Sequence, residues 1–440
     1  MANPDIGPEP VTLPGGFVLR SAGPDDREAI VALETAAFGS SDEPGVRGHL
    51  AGERAIGDWT VVTDGARVVS TSGLLAHRMV LDGCRFPGGQ IEYVATDPGA
   101  QRHGLVRAQF AWHHRRAAER GDLALFITGI PYLYRRLGYG YGLDYPPFLL
   151  PPKPEPTTPE PPTPEPASEV VARATTSYAD SSGVAFRAAV ATDLEAIRAL
   201  DRLRPTTGLR VDRDADAWDT IMAICAPDTF EHLIVAERDG HVVGWMRTQE
   251  KPEDDRVYLA AAAVDPAEPT TTARAMVGHA RIAAGDHLLV VFDQPDTTFG
   301  RAVHDAHDLG EPVHHDHGIY VRVPDPVALL DALRPVLSAR FRSSRYGARD
   351  GELVLSLYDR GVALDLAGGA VVAVRPVPGI EDPFARGDVG IAPDWFGALV
   401  FGRWGAIGLE QRADDVILGR RRGLMDVLFP RLDGDVVGDF

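Results

Sequence analysis

The sequence of 440 residues contains little cysteine and no long apolar run. Cys84 and Cys225 are its two cysteines, which are too few for a disulfide framework and favour a reducing compartment. No stretch of eighteen apolar residues occurs, so no membrane-spanning helix is expected. The N-terminal segment MANPDIGPEPVTLPGG also lacks the basic and apolar regions of a signal peptide. We therefore expect a cytoplasmic protein.

Basic residues are in short supply as well. The chain has 44 Lys and Arg against 63 Asp and Glu, which gives a formal net charge of −19. Such a surface repels nucleic acid and anionic membranes and attracts cations. We expect neither nucleic acid nor a membrane as a partner. Two interpretations of the charge stay open: an ordinary solvated acidic surface, or an adaptation to polycationic substrates.

A proline-rich segment separates two parts of the chain. Residues Tyr145 to Pro166 read YPPFLLPPKPEPTTPEPPTPEP, without apolar periodicity after Leu150. Such a run cannot build a helix or a central strand and favours an extended polyproline spacer. We therefore predict a first domain at residues 1–150 and a linker at residues 151–180.

A repeated pattern occurs on the two sides of this linker. The segment from Phe17 to Leu33 aligns without gaps on the segment from Val184 to Leu200, and each predicts a strand followed by an amphipathic helix. Strand hairpins that turn at Asp-Gly and strands that end at Asp-Pro follow in the same order in both parts. We therefore predict a duplicated α/β domain whose second copy occupies residues 181–325. The recurring residues include Arg20 and Asp26, which correspond to Arg187 and Asp193.

The pattern changes after Pro324. Residues 328–337 read as a helix, and apolar runs near residues 352–374 predict three strands. This alternation is typical of an α+β domain, which we place at residues 326–440. Further helices are predicted near Pro393, Ala413 and Arg422.

The first copy carries a turn that the second lacks. From Val94 the chain reads VATDPGAQRHGLVR, which predicts a strand, a short loop and a helix that begins near Gly104. Backbone N–H groups and the positive end of the helix dipole converge at such a turn and favour a pyrophosphate. Arg102 and Arg107 add positive charge, whereas the segment from Asp265 has no glycine and no basic pair at this point. We expect only the first copy to hold a cofactor.

The helix after this turn is predicted to run from Leu105 to about Arg120, with His113 facing outward. His113 and His114 are adjacent and point apart on a helix, so no metal site is predicted there. Cys84 has no histidine nearby in the sequence and is not a candidate nucleophile.

Residues 126–140 read FITGIPYLYRRLGYG. Here and at the turn the chain resembles the GNAT acetyltransferases, whose acetyl-CoA turn [QR]-x-x-G-x-[GA] precedes a Y-x-x-x-G-[YF] element. Val106 departs from that pattern, because a small residue is usual at its position. The segments Arg102–Arg107 and Tyr134–Gly140, the degenerate second repeat and the α+β tail resemble the Eis (enhanced intracellular survival) family over nearly the whole chain.

The Eis resemblance implies two tandem GNAT-type domains followed by a sterol-carrier-protein-like α+β domain, commonly assembled as a homohexamer. It implies an N-acetyltransferase that moves the acetyl group of acetyl-CoA directly to a primary amine. The acceptor would be a small cationic molecule, such as an aminoglycoside or a polyamine, or a lysine. Ile130 stands where relatives have a polar residue. The residues implied in acetyl-CoA binding are Val94, Ala95, Thr96, Gln101, Arg102, His103, Gly104, Leu105, Val106, Arg107, Gly129 and Ile130.

Acyl transfer from a thioester to an amine also requires two proton movements, one away from the amine and one to the leaving thiolate. The resemblance implies Tyr134 as the proton donor, and Tyr132 is the alternative tyrosine. It further implies the α-carboxylate of the terminal Phe440 as the proton acceptor. The apolar residues Val436 and Val437 before this end favour a buried terminus over a frayed one.

Two other function classes stay open. A lipid or small-ligand binding protein would use the third domain, but it has no need for a pyrophosphate turn beside a tyrosine. An acetyl-CoA sensor without catalysis would tolerate any C-terminus, whereas the enzyme requires a free Phe440. The sequence does not name the acceptor amine.

Overall fold

The computed structural model describes residues 10–51, 56–144, 147–151, 183–204, 208–226, 229–292, 294, 297–305, 312–313, 318–386, 388–402 and 404–432. The predicted linker beyond residue 151 and the terminal Phe440 lie outside the described residues. No helix in the described part of the chain is long and apolar enough to cross a membrane.

The first part of the chain contributes eight strands and four α-helices to the described structure. In chain order they are β1 (Val11–Thr12), β2 (Val18–Ser21), α1 (Arg27–Phe38), α2 (Glu43–Leu50), β3 (Trp59–Asp64), β4 (Arg67–Leu81), β5 (Cys84–Thr96), α3 (Leu105–Arg120), β6 (Ala124–Thr128), α4 (Pro131–Arg135), β7 (Gly140–Asp144) and β8 (Phe148–Leu149).

The second part follows with a comparable order of elements. These are β9 (Ala185–Ala188), α5 (Leu194–Arg202), β10 (Leu209–Val211), α6 (Ala215–Ile224), β11 (Glu231–Arg238), β12 (His241–Lys251), β13 (Arg256–Val264), α7 (Pro269–Ala284), β14 (Leu288–Phe292), α8 (Thr298–Asp305) and β15 (Gly318–Arg322).

The third part alternates helices and short strands. Its elements are α9 (Pro326–Ala332), α10 (Arg334–Arg342), β16 (Gly351–Ser356), β17 (Arg360–Ala367), β18 (Ala370–Pro378), α11 (Pro383–Arg386), β19 (Val389–Ile391), α12 (Pro393–Phe401), α13 (Gly405–Glu410), β20 (Val416–Ile417) and α14 (Arg422–Leu428). The helix predicted near Ala413 is wrong, because the chain forms α13 earlier and then the strand β20.

The first two sheets have matching strand orders. In the first sheet the order is β1-β2-β3-β4-β5-β6-β15-β7, with β10 added to β4, and in the second it is β8-β14-β13-β12-β11-β9. Within each, one parallel pair, β5–β6 or β13–β14, adjoins a series of antiparallel strands. Two strands are exchanged: β15 of the second part lies between β6 and β7, and β8 of the first part pairs with β14. The two parts are therefore interlocked.

Matching local contacts accompany the matching strand orders. Arg20 donates two hydrogen bonds to Asp26 at 2.6 and 2.8 Å, and Arg187 donates two to Asp193 at the same distances. Each aspartate also accepts a backbone N–H three residues earlier, at 2.8 Å. These ion pairs stand at the start of α1 and α5, so the aligned sequences form the same strand-to-helix connection.

The third sheet, in the order β18-β17-β16-β19-β20, shares a hydrophobic core with the first. Phe401 of α12 stacks on Phe86 of β5, with ring centroids 5.9 Å apart, and also contacts Phe126 of β6. Because these residues are buried together, the third part is packed directly against the sheet that carries the candidate site.

Candidate functional site

The candidate site is an opening between two parallel strands of the first sheet. The pairing of β5 with β6 begins at Gly88 and Ala124 and ends at Gln90 and Phe126. Strand β5 continues to Thr96, held on its other edge by β4. From Glu92 onward, the edge of β5 that faces β6 therefore has no strand partner among the described residues. Unpaired backbone N–H and C=O groups in such a gap can hydrogen-bond an extended ligand.

A tight turn closes one end of this opening. The Asp97 carboxylate accepts a hydrogen bond from the Gly99 N–H at 2.8 Å. It also forms an ion pair with Arg67 at 2.7 Å. Arg102 and Gly104 adopt left-handed backbone angles, with φ of 69° and 77°. A Cβ atom added to Gly104 would meet nothing within 4 Å, so the start of α3 is open.

The open helix start suits an anion. Arg102 and Arg107 are exposed and form no ion pair with any described residue, so both guanidinium groups are available to a ligand. His103 packs its ring against Phe17, with centroids 5.0 Å apart. Helix α3 then buries Leu105 and partly buries Val106. The first backbone N–H groups of a helix have no partner within the helix, and an open helix start of this kind is a usual place for binding phosphate.

The other side of the opening is the end of β6. Gly129 has a φ of 116°, and a Cβ atom there would lie 3.5 Å from the Tyr134 Oη atom, so the phenol is packed against the glycine backbone. Ile130 follows with an exposed side chain. The residues predicted to bind acetyl-CoA thus lie along β5, at the turn into α3 and at the end of β6, and their roles remain predictions.

The two candidate tyrosines of α4 differ sharply in their surroundings. Tyr134 is 7% exposed and stacks on Phe110, with ring centroids 5.8 Å apart and an interplanar angle of 19°. Tyr132 is 68% exposed and lies under the guanidinium of Arg136. Because Tyr134 alone of the two adjoins Gly129 at the opening, its position favours it as the proton donor.

The surroundings of Tyr134 keep its phenol protonated. Burial raises the pKa of Tyr134 to about 12, and the negative charge of Glu92 contributes to the increase. A phenol with this pKa carries its proton throughout the physiological pH range, so it can donate a proton.

His113 lies in a position other than the predicted one. The prediction that it faces outward is wrong: its side chain is fully buried, and its Nε2 atom lies 2.7 Å from the Ser72 Oγ atom on β4. Gln109, one turn earlier, hydrogen-bonds Ser70 and Thr60 in the same polar layer. Burial lowers the pKa of His113 to about 3, so the ring is neutral. The helix packs on serine and threonine side chains of the sheet, which apolar periodicity could not indicate.

Two carboxylic acids near the opening were not singled out from the sequence. Glu92 is partly exposed on β5, and Glu34 of α1 is completely buried. A sequence signal existed for Glu34, because it lies four residues after Ile30 and three after Val31, on the buried face of the helix. For Glu92 the signal is a carboxylate in the strand that leads into the turn before α3.

Known proteins resemble this chain in sequence over the first part and in fold over nearly its whole length. Residues 18–142 match the family model of the acetyltransferase (GNAT) domain. A search of curated protein sequences gave no match. Among solved structures, the chain is similar to a GCN5-related N-acetyltransferase from Anabaena variabilis, at 12% identity and a TM-score of 0.63, over 96% of this chain and 99% of that one.

Two further structures share the fold. Eis1 from Mycobacterium abscessus is 15% identical, with a TM-score of 0.55 over 95% of this chain and 98% of its own. Saccharomyces cerevisiae N-myristoyltransferase with bound myristoyl-CoA is 12% identical, with a TM-score of 0.50 over 72% of this chain and 81% of its own.

The first part of the chain is therefore an acetyltransferase domain with a mixed α/β fold. More narrowly, residues 18–142 form an acetyltransferase domain of the GNAT type, and the whole chain shares its fold with solved N-acetyltransferases.

Proposed function

We propose that this enzyme transfers an acetyl group from acetyl-CoA directly to the primary amine of a small cationic molecule, such as a polyamine or an aminoglycoside, or to a lysine side chain. The observation that carries the proposal is the opening between β5 and β6, with the buried phenol of Tyr134 beside Gly129 at its inner end. This arrangement offers backbone groups to an extended acyl donor and an acid to its leaving group.

The proposed donor site uses the free edge of β5 and the open start of α3. The backbone of Val94, Ala95 and Thr96 would pair with the amide groups of pantetheine, as an added strand does. The turn from Gln101 to Arg107 would hold the pyrophosphate, and Gly129 with Ile130 would lie near the thioester. The bound myristoyl-CoA of the yeast N-myristoyltransferase supports an acyl-CoA donor for this fold.

Tyr134 is the proposed acid that protonates the departing thiolate. The α-carboxylate of Phe440 is proposed as a proton acceptor, although it lies outside the described residues. Leu432, the last described residue, donates its backbone N–H to the Gly402 carbonyl at 3.3 Å. A Cβ atom on Gly402 would meet the Gly142 carbonyl of β7, so the chain reaches residue 432 beside the first sheet. Eight extended residues span up to about 28 Å, which would suffice to reach a nearby site.

The rest of the architecture is proposed to follow the Eis plan. The shared strand orders and the paired Arg20–Asp26 and Arg187–Asp193 contacts support a tandem of GNAT-type domains. The α+β third part would be the sterol-carrier-like domain, and the assembly would be a homohexamer. Only the first copy would bind acetyl-CoA, because Glu268 and Pro269 occupy the start of α7 where α3 has an open glycine.

The test follows thiol release from acetyl-CoA by the full chain with a panel of polyamines, aminoglycosides and lysine peptides. A version extended by one residue after Phe440 is assayed beside it. Turnover with at least one amine supports the proposed function, and its loss in the extended version supports the carboxylate role. Binding of acetyl-CoA without turnover of any amine in the panel contradicts the acceptor class, and failure to bind acetyl-CoA contradicts the function itself.

A further inference from the structure

The third part of this acidic chain carries a concentration of arginine. Seven arginines fall in two short segments, residues 340–349 and residues 420–422, and neither segment contains an acidic residue. The first segment covers the end of α10, and the second leads directly into α14. The two segments lie together, because a Cβ atom added to Gly423 would collide with the Tyr346 Oη atom and lie 3.1 Å from the Arg345 Nη2 atom. A chain with a net charge of −19 therefore has a local basic surface.

A groove opens where these two segments meet. Its volume is about 910 Å³, which is within the usual range for small-ligand sites. Its basic side consists of three arginines, Arg340, Arg345 and Arg422. Its apolar side consists of three partly exposed residues, Ile407, Val427 and Pro430. This arginine groove therefore suits a ligand that has both an anionic group and an apolar group.

The three arginines of the groove differ in how their charge is compensated. Arg340 forms an ion pair with Asp82 of the turn between β4 and β5, and it also donates a hydrogen bond to the Leu428 carbonyl at 2.7 Å. Arg422 forms an ion pair with Glu410 at 2.9 Å. Arg345, by contrast, is exposed and forms no ion pair with any described residue. The guanidinium group of Arg345 is therefore available to a ligand.

A second uncompensated guanidinium group lies beside Arg345. The Cζ atoms of Arg345 and Arg349 lie 5.0 and 5.3 Å from the centroid of the Tyr346 ring, and Arg349 also has no ion pair within the described structure. The Arg345 Nη2 atom donates a hydrogen bond to the Tyr346 Oη atom at 2.9 Å, which holds the side chain in place. Two like charges around one ring repel each other, and an anion between them would remove the repulsion. Guanidinium groups bind phosphate with paired, charge-assisted hydrogen bonds.

An acidic side chain limits how much negative charge the groove can accept. Asp426 lines the groove, is exposed, and forms no ion pair with the described residues. Together with Asp82 and Glu410 it nearly balances the arginines of the groove, so that Arg349 supplies most of the excess positive charge. This balance favours a single phosphate group over a polyanion such as nucleic acid.

We propose that the arginine groove binds a small organic phosphate that carries an apolar group and is free in solution. Arg345 and Arg422 hold the phosphate, and the apolar group packs against Val427 and its apolar neighbours in the groove. This ligand is neither the acyl donor nor the acceptor, so the site goes beyond the proposed function.

The arginine groove is remote from the proposed donor site. Arg340 contacts Asp82, which lies just before β5, whereas the proposed pyrophosphate turn follows Thr96 at the other end of that strand. A strand of 13 residues spans about 40 Å. The phosphate ligand and acetyl-CoA should therefore bind independently.

The experiment measures the binding of octyl phosphate to the full chain by isothermal titration, below the concentration at which this probe forms micelles. Inorganic phosphate tests the anionic group alone, and octanol tests the alkyl chain alone. The variants are Arg345→Gln, Asp426→Asn and Val427→Thr. Arg360→Gln is the matched control, because it removes the same charge from an exposed arginine of β17 that does not line the groove.

We expect octyl phosphate to bind about tenfold or more tightly than inorganic phosphate, because the apolar side of the groove covers part of its chain, and octanol not to bind. Arg345→Gln should raise the Kd of octyl phosphate about tenfold or more by removing charge-assisted hydrogen bonds. Asp426→Asn should lower it about threefold by removing a like charge. Val427→Thr should raise it about threefold without changing the Kd of inorganic phosphate. Arg360→Gln should match the wild type.

Equal weakening in Arg345→Gln and Arg360→Gln would show general attraction to positive charge, and the proposal would fail. Displacement of octyl phosphate by acetyl-CoA would place the probe in the donor site and would also overturn it. Sedimentation of the chain with phosphatidylglycerol vesicles, without binding of free octyl phosphate, would make the groove a membrane contact instead. A changed oligomeric state in Arg345→Gln would make it a contact between copies of the chain, which likewise contradicts a free ligand site.

Discussion

The proposed role of Tyr134 as the proton donor depends on its phenolic oxygen, which can be removed by substitution without changing the packing of the ring. Tyr134→Phe keeps the ring stacked on Phe110 and deletes the phenolic proton. We expect kcat to fall by about 100-fold or more while the Kd of acetyl-CoA stays nearly constant, because the acid acts only on the leaving thiolate. Steady-state thiol release and a binding titration measure the two. Tyr132→Phe, at an exposed ring, is the matched control, and the opposite pattern would make Tyr132 the acid.

Glu34 should make the stability of the protein depend on pH in an unusual direction. Burial raises the pKa of Glu34 to about 10, and the charge of Glu92 adds to it. Between pH 5 and 8 the folded state keeps this proton while the unfolded state loses it, so stability falls as pH rises. From pH 5 to pH 8 the contribution is of order 4 kcal/mol in the free energy of unfolding.

Denaturant unfolding at the two pH values measures this loss. Glu34→Gln stays neutral in both states, so its stability should fall much less over the same interval, and it should be the more stable protein at pH 8. Glu119→Gln should retain the wild-type dependence. A wild-type protein that gains stability from pH 5 to pH 8 would contradict the buried, protonated state of Glu34.

At the scale of elements, the two glycines that flank helix α3 allow the proposed phosphate-binding turn to be tested against a matched control position. Gly104 precedes the helix and Gly121 follows it, with φ values of 77° and 79°, and a Cβ atom would meet nothing within 4 Å at either position. Alanine at either site should therefore cost about 1 kcal/mol of stability through backbone strain alone. Only Gly104→Ala should also weaken acetyl-CoA binding, by about tenfold, because it distorts the N–H groups of the turn. Calorimetric Kd values for the two variants decide this, and equal affinities would remove the turn from the donor site.

The same helix shows how far sequence reasoning extends. Its bounds and the open turn before it follow from local patterns of glycine, charge and periodicity, whereas the tyrosine after β6 is expected from the family resemblance. The burial of His113 does not, because it depends on Ser72 of another strand. The exchange of β15 and β8 between the first two sheets could not be predicted from the sequence either, because periodicity identifies a strand but not the strand it pairs with. The proximity of Glu34 and Glu92 requires α1 to be packed on β5, which is again a tertiary property.

At the scale of the whole molecule, the third part supports the element that carries Tyr134. Arg135, the next residue, forms an ion pair with Asp394 at the start of α12, at 2.5 Å. Beside it, Trp395 stacks on Tyr141 of β7 with ring centroids 4.6 Å apart. The third part thus contacts both ends of the segment from α4 to β7. We therefore expect the orientation of α4 to depend on these contacts with the third part.

Asp394→Ala tests this dependence. The ion pair is exposed, so its removal should cost less than about 1 kcal/mol of stability. A small displacement of a catalytic group lowers the reaction rate more than it lowers the stability of the fold. We therefore expect kcat to fall about tenfold with an unchanged Kd for acetyl-CoA, because the Tyr134 phenol is no longer held in line with the thioester. Asp394→Glu should recover part of the rate by restoring the charge. Asp331→Ala, which breaks a comparably exposed ion pair with Arg334 in the same domain, should leave kcat unchanged. If Asp394→Ala also retained the full wild-type kcat, the contact between the third part and α4 would not be needed to position Tyr134, and the first sheet alone would position it.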